Sequence, residues 1–356
     1  MTLNAEETKG QGGNPHPCIR SGIVAVLLVV LAVLLAALNL CTGSVSIPLY
    51  DVLSVLSGHA ADEGVRDTWR YIVLESRFPQ TVMALMGGAA LAGSGLLLQT
   101  AFSNALAGPD VFGIGSGAAL AVAIVMLVTG NTLQAGLLHV SGYVAVLSAA
   151  FIGAMAVTLL ISFLSSVVRH RLVLLIVGIM TGYMANSAIM LLNFFATEEG
   201  VRSYMVWGMG SFANVSLHTL PMAAVGIGCG LVASLLLVKP LNALLLGEAY
   251  ARSLGFSVRR VRLCLLLATG LLTATVTAFC GPVSFIGMAT PHIARLLLST
   301  DNHRSLLPAT LLLGAVVALL CNLLSTLPSE HGVLPLGAVT PLVGAPVIIY
   351  VLVAKR

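Results

Sequence analysis

Long stretches of this chain contain almost no charged side chain. Asp110 is the only charged residue in the range 78–168, and the ranges 263–294, 305–329 and 332–354 contain none. Of the 356 residues, 58% are hydrophobic and 8% are charged, whereas a soluble domain has about 25% charged residues. This composition excludes a soluble enzyme, a nucleic-acid-binding protein and a disordered protein. Because the stretches do not alternate between apolar and polar residues, they predict membrane-spanning helices rather than a barrel.

Ten apolar segments approach the length of about 20 residues that a helix needs to cross a bilayer. They are 23–40, 81–101, 112–129, 139–164, 171–196, 218–238, 263–281, 283–298, 306–327 and 337–354. The eighth is short and contains Pro291, and without it nine spans remain. We therefore predict an all-α, polytopic membrane protein of about ten transmembrane helices, with a disordered cytoplasmic tail at 1–20 and one transmembrane domain at 21–356.

The basic residues indicate how these spans are oriented. Cytoplasmic loops are enriched in Lys and Arg. If the N-terminus is cytoplasmic, most of the 17 Lys and Arg residues lie on the cytoplasmic side and most of the 13 acidic residues lie outside. Lys355 and Arg356 share the cytoplasmic side only if the number of spans is even. We therefore predict ten spans with both termini in the cytoplasm.

Two stretches of the chain resemble each other. Each begins with an arginine, Arg77 or Arg259, continues through an apolar segment rich in small residues, and reaches a Gly-Pro pair followed by a phenylalanine. The Gly-Pro pairs are at 108–109 and 281–282. Since the two spans would cross in opposite directions, the pattern favours an inverted internal repeat, an arrangement that many transporters share. The alternative is two unrelated helices, each kinked by a proline.

The most polar predicted cytoplasmic loop, 239–262, contains a short helix-forming sequence. Glu248 and Arg252 lie four residues apart, which is the spacing of an ion pair on one helix face. Gly255 is typical of a helix C-terminus. The pattern indicates a short helix in water at the membrane edge. It is either a connector or a docking element for a cytoplasmic partner.

This sequence is one of a series of ordered motifs. The series comprises Gly-Glu-x-x-Ala-Arg-Ser-Leu-Gly at 247–255, Cys-Gly-Pro-Val-Ser-Phe-Ile-Gly at 280–287, Thr-Pro-His-Ile-Ala-Arg-Leu at 290–296, Arg-Phe-Pro at 77–79, Asn-Ala-Leu-Ala at 104–107, Leu-Pro-Leu-Gly at 334–337 and Gly-Ala-Pro at 344–346. With these motifs the chain, from about residue 35 to its C-terminus, resembles the FecCD-type permease family. Members are the membrane subunits of bacterial ABC importers for iron-siderophores, haem and cobalamin.

The resemblance implies a ten-helix permease subunit in the bacterial inner membrane that pairs with a second copy of itself. The path for the metal chelate would lie on the axis of this homodimer. Two cytoplasmic ATPase subunits would drive alternating access, and a periplasmic or lipid-anchored binding protein would deliver the chelate. Membrane lipid would surround the dimer, and no nucleic acid takes part.

The resemblance also implies roles for individual residues. The segment 247–255 would be the coupling helix that enters a groove on each ATPase, and its predicted coupling residues are Gly247, Glu248, Ala251, Arg252, Leu254 and Gly255. Asn104 and Leu106 are predicted to narrow the path at its cytoplasmic end. The alternative for Asn104 is a polar cap at a helix end. Arg77 would dock a carboxylate of the binding protein, and Arg70 is a second candidate.

The chain departs from the family pattern at three positions. Gln80 and Thr326 stand where basic residues are frequent, and Asn322 stands where an aspartate is frequent. The docking charges are therefore fewer or relocated, and Arg66, Arg70 or Arg202 are candidates to replace them.

Two other features have a structural and a functional interpretation. His292 follows Pro291 in a span, and we expect a structural hydrogen bond rather than a ligand role. Several methionines near the fifth span either pack or form an adaptable wall for a bulky ligand. These are Met180, Met184, Met190, Met205 and Met209. No metal site, cofactor site or catalytic residue is predicted.

The source of energy is predicted to lie outside the chain. The sequence contains no Gly-x-x-x-x-Gly-Lys-[Ser/Thr] motif, which would cradle ATP phosphates. The predicted spans have no acidic residue near their centres, where ion-coupled transporters place them. We therefore predict a transport subunit without ATPase activity of its own. The alternatives are a gradient-driven secondary transporter and a non-transporting scaffold or receptor subunit.

Overall fold

The computed structural model describes residues 17–43, 45, 47–57, 65–128, 132–135, 138–168, 171–327 and 333–354. The helices are α1 (Pro17–Cys41), α2 (Leu49–Leu56), α3 (Val65–Tyr71), α4 (Phe78–Phe102), α5 (Ile114–Ala123), α6 (Tyr143–Val167), α7 (Arg171–Phe195), α8 (Glu198–Gly208), α9 (Leu220–Leu236), α10 (Val238–Leu245), α11 (Glu248–Ser253), α12 (Val258–Cys280), α13 (Ile286–Leu298), α14 (His303–Thr326) and α15 (Leu336–Ala354). Two strands, β1 (Thr132–Ala135) and β2 (Leu138–Ser141), form an antiparallel hairpin.

Short irregular segments extend some of these helices. A π-helical segment, Ile72–Arg77, joins α3 to α4, and a second one, Ile124–Val128, extends α5. A 3₁₀ turn, Phe212–Asn214, follows α8. The sequence did not predict these segments or the hairpin. Residues 1–16 of the predicted disordered tail lie outside the described residues, and Pro17–Arg20 belong to α1.

Each of the ten predicted spans coincides with a helix, but the helices differ in length. Among the described residues, six apolar helical segments are long enough to cross a membrane, in α1, α3–α4, α6, α7, α12 and α14. A seventh span is the bent pair α9 and α10, whose axes differ by 49°. Pro240 explains the bend, because proline cannot donate the backbone hydrogen bond to residue 236, where α9 ends. The remaining three, α5, α13 and α15, are shorter.

The short helices α5 and α13 occupy matching places in the predicted inverted repeat. Each follows a long helix, α4 or α12, and a Gly-Pro turn. Each begins after a residue with positive φ, which is Gly113 (72°) for α5 and Phe285 (67°) for α13. The two turns also lie close together, because a Cβ atom on Gly287 would lie 3.3 Å from Cδ of Pro109. The fold therefore has the broken helices at corresponding positions that are typical of transporter repeats.

Helix α4 lies at the centre of the protein and is buried along most of its length. Glycines let its neighbours approach it closely, as is usual for membrane helices. A Cβ atom on Gly95 would lie 1.7 Å from the carbonyl oxygen of Gly287 in α13, and one on Gly88 would lie 2.3 Å from that of Gly314 in α14. No side chain fits at either crossing, so these positions require glycine.

The helix ends define two opposite faces of the protein. The start of α1 adjoins the end of α13, where Arg20 Nε donates a 2.9 Å hydrogen bond to Leu297 O. The start of α14, the end of α4 and the helices α10 and α11 lie on the same face. We call it the basic face, because Arg259, Arg260 and Arg304 are exposed there. The other face holds the start of α4, the end of α14 and the start of α15, and we call it the opposite face.

Candidate functional site: a docking helix, a narrow turn and a buried arginine

Helix α11 lies on the basic face where the sequence predicted a short helix. Gly247 and Gly255 flank it with φ angles of 110° and 85°, which L side chains rarely adopt. Ala251 is fully buried and fixes one side of α11 to the protein. On the other side the Arg252 side chain is 67% exposed and Leu254 is 53% exposed. The helix therefore presents a cation and an apolar side chain to the water.

Glu248 anchors α11 to the membrane domain through two arginines. Its carboxylate lies 3.1 Å from Arg252 Nη2, which is the ion pair that the sequence spacing predicted. It also lies 2.8 Å from Nη2 of Arg262 in α12, whose side chain is only 10% exposed. A buried charge that loses its partner is costly, so the second pair ties α11 to the first turns of α12. The sequence analysis missed Arg262, because it lies 14 residues away from Glu248.

The predicted gate residues lie in a tight turn between α4 and α5 on the basic face. Helix α4 ends at Phe102, and the C-cap residue Ser103 has a left-handed backbone with φ of 47°. The Asn104 side chain then accepts a 2.9 Å hydrogen bond from the backbone N–H of Leu106. Asn104 therefore stabilises the turn between α4 and α5. The Leu106 side chain is 46% exposed and projects from the turn. We call residues 103–107 the gate turn.

Helix α13 holds the gate turn in place through polar side chains. His292 Nε2 donates a 2.7 Å hydrogen bond to the carbonyl oxygen of Ala105. Arg295 Nη1 donates to Gln99 Oε1 at 2.6 Å, and Gln99 Nε2 donates to Met288 O at 3.1 Å. His292 thus makes the structural hydrogen bond that the sequence led us to expect. The described residues contain no group of three or more His, Cys, Asp or Glu that could hold a metal ion.

The two predicted docking arginines lie in different environments on the opposite face. Arg70 is exposed near the end of α3. Arg77 is 6% exposed, and its guanidinium donates to the carbonyl oxygens of Leu40 (2.8 Å), Cys41 (3.0 Å) and Val45. Because these hydrogen bonds occupy the guanidinium, Arg77 fastens the segment that follows α1 against the start of α4.

Two of the three positions where the chain departs from the family pattern, Gln80 and Asn322, meet in one buried hydrogen-bonded chain. Gln80 Nε2 donates to Asn322 Oδ1 at 3.0 Å, and Asn322 Nδ2 donates to Asn39 Oδ1 at 2.7 Å. Asn39 Nδ2 in turn donates to Leu319 O at 3.0 Å. Neutral amides therefore connect α1, α4 and α14 without a buried charge. Thr326 hydrogen-bonds to the carbonyl of Asn322 in its own helix and takes no part in the chain.

The methionines near the fifth span lie on an exposed surface rather than in the core. Met184 is 70% exposed and Met190 is 73% exposed on α7. A cavity of about 600 Å³ lies between α7 and α8, and Met205, Met209, Arg202 and Glu198 are among its lining residues. The protein therefore has a large, adaptable apolar surface with a few charges at one end.

The structure also reveals polar residues on the basic face that the sequence analysis did not single out. His303, at the start of α14, is fully buried and hydrogen-bonded to Thr100 of α4 and Asn242 of α10. Arg295 pairs with Asp301 at 3.2 Å. Asn302, which immediately precedes His303, is the only local sequence signal for the start of α14, since asparagine is a preferred helix N-cap.

These features define a class of protein. Six or seven apolar spans among the described residues, broken helices at corresponding positions, and a water-exposed helix tied to the core characterise a multi-pass transport subunit. The chain belongs to the FecCD transport family, whose family model matches residues 28–354. It is the permease subunit of an ABC importer, as the motifs predicted.

Individual relatives share this architecture over most of their length. The chain is 36% identical to a vitamin B12 import system permease protein, BtuC, of Vibrio cholerae over 80% of this chain and 83% of the relative. It is 31% identical to a hemin transport system permease protein, HmuU, of Yersinia pestis over 97% and 98% of the two chains. A solved structure, an inward-facing conformation of a metal-chelate type ABC transporter, matches 96% of this chain and 100% of that chain, with a TM-score of 0.78 and 28% identity.

Proposed function

We propose that this permease works as a homodimer in a bacterial inner membrane and imports a metal chelate of the cobalamin or haem type. Two cytoplasmic ATPases bind the basic face, and a binding protein delivers the chelate to the opposite face. The observation that carries the proposal is the geometry of α11, which is exposed on one side and anchored through Glu248 to Arg262 on the other. A partner that moves α11 thereby moves α12 as well.

The distribution of charge supports this orientation. Arg252, Arg259, Arg260 and Arg304 are exposed on the basic face, as the positive-inside rule requires of a cytoplasmic surface. On the opposite face Arg70 is exposed and offers a charge to an acidic partner. Arg77 is buried beneath that surface and holds it in place through its hydrogen bonds to the carbonyl oxygens at the end of α1.

The exposed surface of α7 supports a translocation path shared by two copies. A second copy placed against α7 and α8 would enclose the cavity of about 600 Å³ and the methionines that adjoin it. Methionine side chains are flexible and polarizable, so they contact a bulky chelate without holding it rigidly. Weak contact of this kind suits a path that must release its cargo.

The test is uptake by the reconstituted complex. The permease, its ATPase and its binding protein are placed in lipid vesicles, and the uptake of cyanocobalamin, haemin and a ferric siderophore is measured with and without ATP. We expect uptake of one chelate class that requires both ATP and the binding protein. Uptake that follows an ion gradient without ATP would instead identify a secondary transporter, and ATP hydrolysis without uptake of any chelate would identify a scaffold.

The exposed side of α11 provides a first prediction. The double substitution Arg252→Ala with Leu254→Ala should weaken binding of the ATPase at least about thirtyfold, because central interface residues contribute about 2 kcal/mol or more. Binding is measured by titrating the ATPase onto the detergent-solubilised permease. Arg260→Ala, which also removes an exposed charge from the same face, is the control and should change binding little. Equal effects of the two variants would contradict docking through α11.

The opposite face provides a second prediction. Reversing the charge with Arg70→Glu should lower the affinity for the substrate-loaded binding protein about tenfold, mainly through a slower association rate. The effect should shrink as salt is raised, because salt screens exposed charges. Surface plasmon resonance at two ionic strengths measures both. Arg260→Glu on the basic face is the control, and an effect of that variant alone would reverse the proposed orientation.

A further inference from the structure

A hydrogen-bonded chain of three side chains crosses the basic face between α10, α14 and α4. Asn242 Oδ1 accepts a 2.8 Å hydrogen bond from the backbone N–H of His303 and lies 3.0 Å from His303 Nδ1. On the other side of the imidazole, His303 Nε2 lies 2.8 Å from Thr100 Oγ1. His303 is fully buried and Thr100 is 5% exposed, so water does not compete for these contacts.

The hydrogen bonds fix one tautomer of the imidazole. The Asn242 amide oxygen can only accept, so the proton of a neutral His303 sits on Nδ1. His303 Nε2 is then an acceptor, and the hydroxyl of Thr100 donates a hydrogen bond to it. Asn242 Nδ2 completes the chain with a 2.9 Å hydrogen bond to Asn302 Oδ1. In this arrangement each polar atom of the three side chains has a hydrogen-bond partner. A shift of α10 breaks these hydrogen bonds.

The two ends of this chain lie next to the two parts of the proposed transport cycle. Asn242 is on α10, and only Leu246 and Gly247 separate α10 from α11. Thr100 is in the last turn of α4, immediately before the gate turn. The backbone of the gate turn is itself bonded to this last turn, since Asn104 N–H donates to Gln99 O at 3.1 Å.

We propose that Asn242, His303 and Thr100 form a relay that transmits movement of α11 to the gate turn. The proposal rests on the proposed import function and adds three positioning residues to it. A displacement of α10 with α11 pulls on His303 through two contacts and on the end of α4 through the third. Contiguous side-chain contacts of this kind can couple distant sites when the elements they join have two arrangements.

The experiment compares two substitutions of Thr100 in the complete reconstituted complex. Thr100→Val keeps the shape of the side chain and removes its hydroxyl, whereas Thr100→Ser keeps the hydroxyl. We expect the amount of chelate moved per ATP hydrolysed to fall about fivefold in the valine variant, the ratio that corresponds to one buried hydrogen bond. The serine variant should restore it. ATP hydrolysis and assembly of the complex should be retained in both.

A double-mutant cycle and a matched control separate a relay from general packing. Asn242→Leu should also lower transport per ATP. Combining it with Thr100→Val should lower transport little further, because either substitution alone already breaks the hydrogen-bonded chain. Thr310→Val is the control, since Thr310 is a fully buried threonine of α14 whose hydroxyl has no hydrogen-bond partner among the described residues. Additive effects, or an equal loss in the Thr310 variant, would overturn the relay.

A second readout does not depend on the chelate. With the exposed Cys229 and Cys264 replaced by serine, Leu106→Cys reports the accessibility of the gate turn to a maleimide. ATP should change its labelling rate, and Thr100→Val should abolish that change. An unchanged response in Thr100→Val, or a loss of ATPase activity or assembly, overturns the relay. A labelling change in the Leu106→Cys complex with an unchanged Thr100, together with no import of any chelate by the native complex, overturns only the proposed import function.

Discussion

Replacing Gly95 by alanine is expected to destabilise the permease more than any other change of one methyl group. The added Cβ atom would lie 1.7 Å from the carbonyl oxygen of Gly287, and both atoms belong to backbone segments that cannot move aside independently. Helices α4 and α13 must therefore separate, which costs about 3 kcal/mol or more. We expect the apparent melting temperature of the solubilised protein to fall by at least about 5 °C.

The control for this prediction is the same substitution at Gly228. Gly228 lies in α9, and a Cβ atom there would meet no atom within 4 Å. Alanine has the higher helix propensity by about 1 kcal/mol, so Gly228→Ala should leave stability unchanged or raise it. Thermal unfolding and size-exclusion chromatography in detergent measure both variants. If the two alanine variants unfold at the same temperature, the result contradicts the close packing of α4 on α13 at Gly95.

The local features of this fold could be predicted because their causes lie close together in the sequence. The Gly-Pro pairs at 108–109 and 281–282 interrupt helices wherever they occur, since proline lacks a backbone donor. The spacing of Glu248 and Arg252 and the glycines around them likewise predicted α11 within two residues at each end. These signals need no knowledge of the tertiary structure.

Contacts between distant segments could not be predicted in this way. Gly95 and Gly287 are 192 positions apart, and nothing in either neighbourhood shows that the two backbones meet. The same is true of the contact between His303 and Thr100. An apolar chain of this composition offers many equivalent packings for its helices, and only the packing itself selects which polar side chains become partners.

Gln80 and Asn322 illustrate how a departure from a family pattern can be understood only in three dimensions. From the sequence, each substitution removes a charge that relatives often carry at that position. The structure shows that the two amides are partners at 3.0 Å. A buried charge without a partner is costly. Replacing only one member of an oppositely charged pair would leave such a charge, whereas two amides form a hydrogen bond with each other. Gln80 and Asn322 are therefore compatible with each other as a hydrogen-bonded pair.

Replacing Arg77 by methionine is the second large effect that we expect. Methionine retains the apolar part of the side chain, but the carbonyl oxygens of Leu40, Cys41 and Val45 lose the guanidinium, and Cys41 O keeps only the N–H of Ile47. Leaving a buried acceptor unsatisfied costs about 1–3 kcal/mol, and the segment after α1 also loses its attachment to α4. The apparent melting temperature of the isolated permease should fall clearly, without any binding protein present.

This outcome distinguishes a positioning role for Arg77 from direct docking. If Arg77 only contacted the binding protein, Arg77→Met would weaken the complex but leave the melting temperature of the free permease unchanged. Arg70→Met is the matched control, because Arg70 is exposed and its loss should leave the melting temperature unchanged. We expect Arg77→Met to weaken binding as well, since the segment after α1 then loses its attachment to α4. Reduced binding with an unchanged melting temperature would assign Arg77 to the docking surface itself.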